Sequence, residues 1–284
     1  MECPTGCSLH LLTDARRVRF EIEIIDTPRD WGELAAVSGG KVTGEWRATD
    51  VMPGSHEVEL ELAGNAGLRE VEIVFPHLLD IAISRMEIDG QIEPALPPAA
   101  PLWLAIGDSL TQGMNALSPL STYVRIVEDS LGVGAWNLGI GGQTMDPAPF
   151  EWAFTRRPWR AVTVALGTND WFSGVPLETF RAQASAMMDA AAKGAPEAAL
   201  VIVTPPPAGR EPAEPGAPLS AYREALVEAA ADFEGECSVI DGTTLVNPEK
   251  GHFTPDGLHL SERGFAAYAD GLIANDRFRD AITG

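Results

Sequence analysis

Five positions between 109 and 259 carry the residue types that acyl transfer needs. Ser109 stands in LWLAIGDSLTQG (102–113), where an apolar run breaks at Gly-Asp-Ser and leaves a hydroxyl at a predicted strand end. A serine attacks an acyl carbon only when a base takes its proton, and histidine is the side chain suited to that near neutrality. Of the five histidines, His10, His56 and His77 precede this segment, while His252 and His259 lie in the last predicted loop. In TPDGLHLSERG (254–264), Asp256 precedes His259 by three residues. That spacing lets a carboxylate meet the far nitrogen of the imidazole, in the chain order Ser, Asp, His.

The tetrahedral oxyanion of such a reaction needs donors aimed at it in advance. In NLGIGGQT (137–144) a predicted strand ends in Gly141 and Gly142, where a backbone N–H can approach a ligand with no Cβ in the way. In ALGTND (165–170) another ends at Asn169, whose amide is a donor. Each residue also has a plain structural reading: Ser109 as a turn or helix cap, Gly141 and Gly142 as a turn, and Asn169 as a cap. Trp171 follows GTND directly and is a candidate wall for an acyl or sugar site, with core packing the competing reading. Asp108 and Asp170 flank the site residues and read as turn organisers, and His252 reads as a surface histidine.

The elements that must position these residues follow from periodicity. RVRFEIEII (17–25) alternates apolar Val18, Phe20, Ile22 and Ile24 with charged neighbours, and HEVELELAG, REVEIVFPH and DIAISRMEIDG repeat the alternation. Short alternating strands between turn residues predict an antiparallel sandwich over 1–93. Prolines at 94, 97, 98 and 101 mark 94–101 as an extended linker. From 102 to 284 the pattern changes. Strand candidates near LWLAI, AWNLGI, AVTVAL, ALVIV and CSVID alternate with helix-length segments such as LETFRAQASAMMDAAAKG, which predicts a parallel sheet with crossover helices.

As a set, GDSL, G-G-x-T, GTND and DGLH, in that order, resemble the blocks of the SGNH hydrolases, also called GDSL esterases, over roughly 102–274. The resemblance implies an α/β, flavodoxin-like three-layer domain with a five-stranded parallel sheet. It makes Ser109 the nucleophile, His259 the base and Asp256 its orienter. The N–H groups of Ser109 and Gly142 with the Asn169 amide then form the oxyanion hole, Gly142 being chosen by its place two residues before Thr144. The first domain resembles the jelly-roll modules of some carbohydrate esterases and natural-product acyltransferases. The expected function is a serine esterase acting on short-chain or acetyl esters of small molecules or carbohydrates. An acyltransferase using the same acyl-enzyme is the alternative, and a carbohydrate-binding protein with an inert hydrolase domain comes third. Neither a cofactor nor a metal is needed by this scheme.

Composition narrows the partners. Forty-one acidic against twenty basic residues give a formal charge of −21, which argues against nucleic acid or an anionic membrane surface. No apolar run reaches the length of a membrane span, and the first residues lack a signal-peptide pattern, so a cytoplasmic location is expected. Cys3, Cys7 and Cys237 have no zinc-type spacing and are expected as free thiols.

Overall fold

The computed structural model describes residues 4–62, 67–95, 101–209 and 216–284. Two compact units emerge: Met1–Pro98 with Ala116–Ser121, and Ala99–Asn115 with Thr122–Gly284. Cys3, the centre of the predicted linker (96–100) and residues 210–215 lie outside the described residues.

Among its described residues the first unit holds eight strands: β1 (Ser8–Thr13), β2 (Arg17–Asp26), β3 (Trp31–Ser38), β4 (Lys41–Thr49), β5 (Gly54–Glu61), β6 (Arg69–Val74), β7 (Asp80–Ile88) and β8 (Ile92–Pro94). They form two antiparallel sheets, ordered β4-β3-β6-β1-β8 and β5-β2-β7. Alternation in β2 buries Val18, Phe20, Ile22 and Ile24. These pack with Val58 and Leu60 of their own sheet against Leu34, Val71 and Ile73 of the other, in one core. The all-β expectation therefore holds.

β3 is buried on both faces. Leu34 and Ala36 join the sandwich core, while Glu33 on the opposite face is also buried. The covering piece is the segment 116–121. Ser118 Oγ donates to Glu33 Oε1 at 2.7 Å, Arg47 Nε donates to Oε2 at 2.7 Å, and Trp31 Nε1 donates to the Ala116 carbonyl at 3.3 Å. Burial raises the Glu33 pKa, against the opposing pull of the Ser118 hydroxyl and Arg47.

The second unit contains β9 (Pro101–Gly107), β10 (Gly134–Gly139), β11 (Ala161–Ala165), β12 (Ala199–Val203) and β13 (Cys237–Ile240), all parallel, in the order β10-β9-β11-β12-β13. Its helices are α1 (Ser109–Gln112), α2 (Tyr123–Leu131), α3 (Glu151–Phe154), α4 (Thr168–Phe172), α5 (Leu177–Gly194), α6 (Leu219–Asp232), α7 (Glu262–Ala274) and α8 (Asp276–Thr283). α5 buries Phe180, Ala184, Met187, Met188 and Ala191, a helical stripe, against Leu104, Val162 and Ile202 on one sheet face. On the other face, Phe278 of α8 meets Trp103 of β9 edge-on at 5.5 Å between ring centroids. This is the three-layer α/β arrangement expected. The order reverses around β9, so ligand chemistry belongs at the carboxyl ends of β9 and β11.

The grip on 116–121 has a measurable consequence. Replacing Glu33 by Ala leaves the Ser118 hydroxyl without its carboxylate partner beside a cavity, while Arg47, largely exposed, keeps its pairing with Glu45. We expect the denaturation transition of the first unit to lose about 1–2 kcal/mol, read as a lower urea midpoint at unchanged slope.

Candidate active site

Ser109 opens α1 directly after β9. The Asp108 carboxylate caps that helix by accepting from Leu110 N–H at 3.0 Å, and Gly113, in the left-handed region at φ 95°, ends it after one turn. Gly107 and Gly139 let α1 sit tightly on the strand ends, since a Cβ on either would collide with Thr111 or Gln112. Buried Asn137 of β10 ties the turn down by donating to the Thr111 carbonyl at 2.8 Å.

His259 lies in the loop before α7. The Thr254 N–H donates to the His259 carbonyl at 2.8 Å, and a bridge joins Phe253 to Leu260, so the loop folds as a small closed hairpin. Inside it, Asp256 Oδ1 accepts from Leu258 N–H, His259 N–H and Thr254 Oγ1, each at 2.9 Å. Oδ2 meets His259 Nδ1 at 2.7 Å, and His259 Nε2 meets Ser109 Oγ at 3.1 Å. Partial burial alone would raise the Asp256 pKa. The backbone and ring N–H groups of His259, Leu258 N–H and the Thr254 hydroxyl outweigh it and hold the carboxyl well below the ordinary range. A permanently ionised Asp256 fixes Nδ1 as the protonated nitrogen and leaves Nε2 free to accept the serine proton.

The remaining predicted residues gather at neighbouring strand ends. After β10 the chain turns through 140–143, with Gly142 at φ 80° and Gln143 N–H closing on the Ile140 carbonyl at 3.1 Å. Gly141 N–H is taken by Gln112 Oε1 at 2.8 Å, whereas Gly142 N–H and Ser109 N–H have no hydrogen-bond partner among the described residues. Gly142 is thus the glycine with a free donor. Asn169 is the second residue of α4, after β11, and spends one amide hydrogen on the Gln143 carbonyl at 3.0 Å, which leaves the second available. Asp170, fully buried, takes Met145 N–H with both oxygens at 3.2 and 3.1 Å, and so ties the β10 loop to α4.

Trp171 does not line an open site. It is 2% exposed and belongs to the sheet core, because the side chain after Asp170 points inward from α4, while the next residue, Phe172, is exposed. His252 Nδ1 accepts Asn247 N–H at 3.1 Å and organises its own loop. Sequence reasoning missed Asn115, Thr254 and Gln112. Their polar atoms are ordinary in type, and only the fold brings them to the site.

A family model for the GDSL-like lipase/acylhydrolase family matches residues 105–267, more than half of the chain. The chain belongs to this family. As a GDSL-type protein it is an ester-hydrolysing enzyme. No curated protein matches it at a significant level. Among solved structures, the salicylyl-acyltransferase SsfX3 from a tetracycline biosynthetic pathway is 20% identical at a TM-score of 0.77, covering 94% of this chain and 80% of its own. A family two carbohydrate esterase from Clostridium thermocellum, in complex with cellohexaose, is 15% identical at 0.75, covering 95% and 91%. An acetyl xylan esterase from the rumen bacterium Butyrivibrio proteoclasticus is 14% identical at 0.65, covering 94% and 88%. These likenesses extend over both units, whereas the family model lies within 105–267. Among the described residues, no helix is long and apolar enough to cross a membrane.

Beneath Ser109 lies an electrostatic cost. Burial, aided by the negative charge of Asp170 and opposed by Leu110 N–H, pushes Asp108 up to about 7. The Asp170 pKa is raised too, by burial. A carboxyl that keeps its proton in the folded state to about pH 7, but loses it near 4 when unfolded, stabilises the fold below pH 4 and loses that contribution as pH rises through 7. Asp108→Asn keeps the capping oxygen and removes the charge. The variant should flatten the fall in melting temperature between pH 5 and pH 8, and gain up to about 4 kcal/mol at the upper end. Parallel melting curves for both proteins across that range would contradict the assignment.

Proposed function

We propose that this GDSL-type enzyme is a serine esterase working through an acyl-enzyme on Ser109. The observation that carries the reading is the continuous chain Ser109 Oγ, His259, Asp256, at 3.1 and 2.7 Å, with unpartnered N–H groups on Ser109 and Gly142 beside it. In this reading Nε2 of His259 takes the hydroxyl proton as Oγ bonds to the ester carbonyl carbon. The oxyanion is met by the N–H groups of Ser109 and Gly142 and the free amide hydrogen of Asn169. His259, now an imidazolium stabilised by Asp256, protonates the leaving alcohol as the carbon–oxygen bond breaks. Water then repeats the sequence on the acyl-enzyme and releases the acid. Each proton moves through His259, so no step calls on a cofactor or metal.

Acetyl or other short-chain esters, including those of carbohydrates, are the substrate class we favour, with 1–93 as a sandwich domain, 94–101 as linker and 102–284 as the catalytic domain. Transfer to an alcohol is the second reading. Its support is the likeness to a salicylyl-acyltransferase over most of both chains.

Aryl acetate and butyrate esters test the chemistry. Ser109→Ala should abolish turnover with the fold intact, and a fluorophosphonate should label Ser109 in the wild type only. Asn169→Ala should lower kcat on the order of 10²-fold with a much smaller change in KM, as expected for a donor used in the transition state. Mass spectrometry with a panel of sugars and polyols then separates the two fates. Free acid throughout is expected, and a new ester as the main product would favour transfer.

A further inference from the structure

We propose that Asn115 is a positioning residue that orients the Asp256–His259 pair from the segment carrying the nucleophile. The inference rests on the acyl-enzyme reading above and adds to it a residue that the scheme does not contain.

The first observation is conformational. Asn115 lies at φ 72°, and among the described residues Asp50 is the one other non-glycine residue at positive φ. Glycine would hold this backbone with no steric cost, so the asparagine side chain is what the position uses. The second is where that side chain goes. Nδ2 faces Thr254 Oγ1 at 3.3 Å and Asp256 Oδ2 at 3.4 Å, one acceptor for each amide hydrogen.

Asp256 makes this contact informative. Its Oδ1 is saturated by donors from its own loop, whereas Oδ2 accepts from His259 Nδ1 and from Asn115. Asn115 is therefore the only described partner of this carboxylate from outside the 254–259 loop, and it touches the oxygen that orients the base. Thr254, its other acceptor, bonds both Asp256 Oδ1 and the His259 carbonyl. Since Asn115 follows Ser109 by six residues across α1 and Gly113, the amide ties the acid and base loop to the nucleophile's own turn. Both contacts are long in the free enzyme, and contacts of this kind tighten as charge develops during reaction. His259 is the ion-pair partner of Asp256 among the described residues, so the carboxylate has no second cation to hold it in place.

Two variants separate the amide from the backbone. Asn115→Gly keeps the left-handed conformation and removes only the amide. We expect kcat to fall about tenfold, the worth of a charge-assisted hydrogen bond, with KM within twofold and the melting temperature close to wild type. Asn115→Asp places a like charge beside Asp256, which favours the imidazolium. The acidic limb of kcat/KM should then move to higher pH by about one unit. Unchanged kcat in the glycine variant together with an unmoved limb in the aspartate variant would overturn the proposal. The downfield proton signal of His259 Nδ1–H gives a readout that needs no turnover. It should shift in Asn115→Gly and stay in place in Ser109→Ala. A wild type inactive on every ester would sink the esterase reading, while this signal would still decide the role of Asn115.

Discussion

The hydrogen bond from Ser109 to His259 joins residues 150 positions apart, and every other part of the site exists to make it form. One partner sits on a helix of a single turn at the end of β9, the other in a small hairpin before α7. Neither can drift without losing the bond, so both are over-determined locally. Glycines without side chains let α1 sit on the strand ends, and Asp256 saturates the N–H groups of its loop from within. The order β10-β9-β11 then brings three loops to one sheet edge, with the serine loop in the middle.

Three carboxylates in this small region have opposite electrostatics. Asp256 is partly exposed and surrounded by donors, which keeps it charged. Asp108 and Asp170 are buried with fewer donors each, and their charged forms are disfavoured. The division suits their positions. The Asp256 carboxylate, which meets His259 Nδ1, is solvated by N–H and O–H groups, while Asp108 and Asp170, which brace the strand-end turns, are buried. A charged, donor-rich carboxylate and two buried bracing ones are thus the same residue type in different surroundings.

The first unit contributes a fold with its own core, and it includes a stretch that sequence order places well inside the second. Residues 116–121 cover the outer face of β3 through Glu33 and Trp31, and the chain runs from them straight back to Asn115. β3 is also a strand that alternation does not reveal. Leu34, Ala35 and Ala36 are buried in succession because this strand has a neighbour on each face, so its pattern is a continuous run. β2, with one face in solvent, alternates plainly.

Much of the site is legible along the chain, because each block pairs a chemical residue with the turn residues that end a strand: Gly107 and Asp108 with Ser109, Gly141 and Gly142 after β10, Gly167 before Asn169, Asp256 and Gly257 before His259. Period-two and helical patterns place the two fold types for the same reason, since burial on one face is written into residue order. Other features depend on long-range packing. Trp171 reads as a wall by adjacency to GTND, but the direction of its side chain is decided by how α4 docks on the sheet, which turns it into the core. That the Gly141 N–H is occupied while the Gly142 N–H is not follows from where Gln112 Oε1 sits. Asn115 carries no local signal at all. Its amide meets Asp256, 141 residues away, only because the parallel sheet closes the first turn of the domain against its last loop.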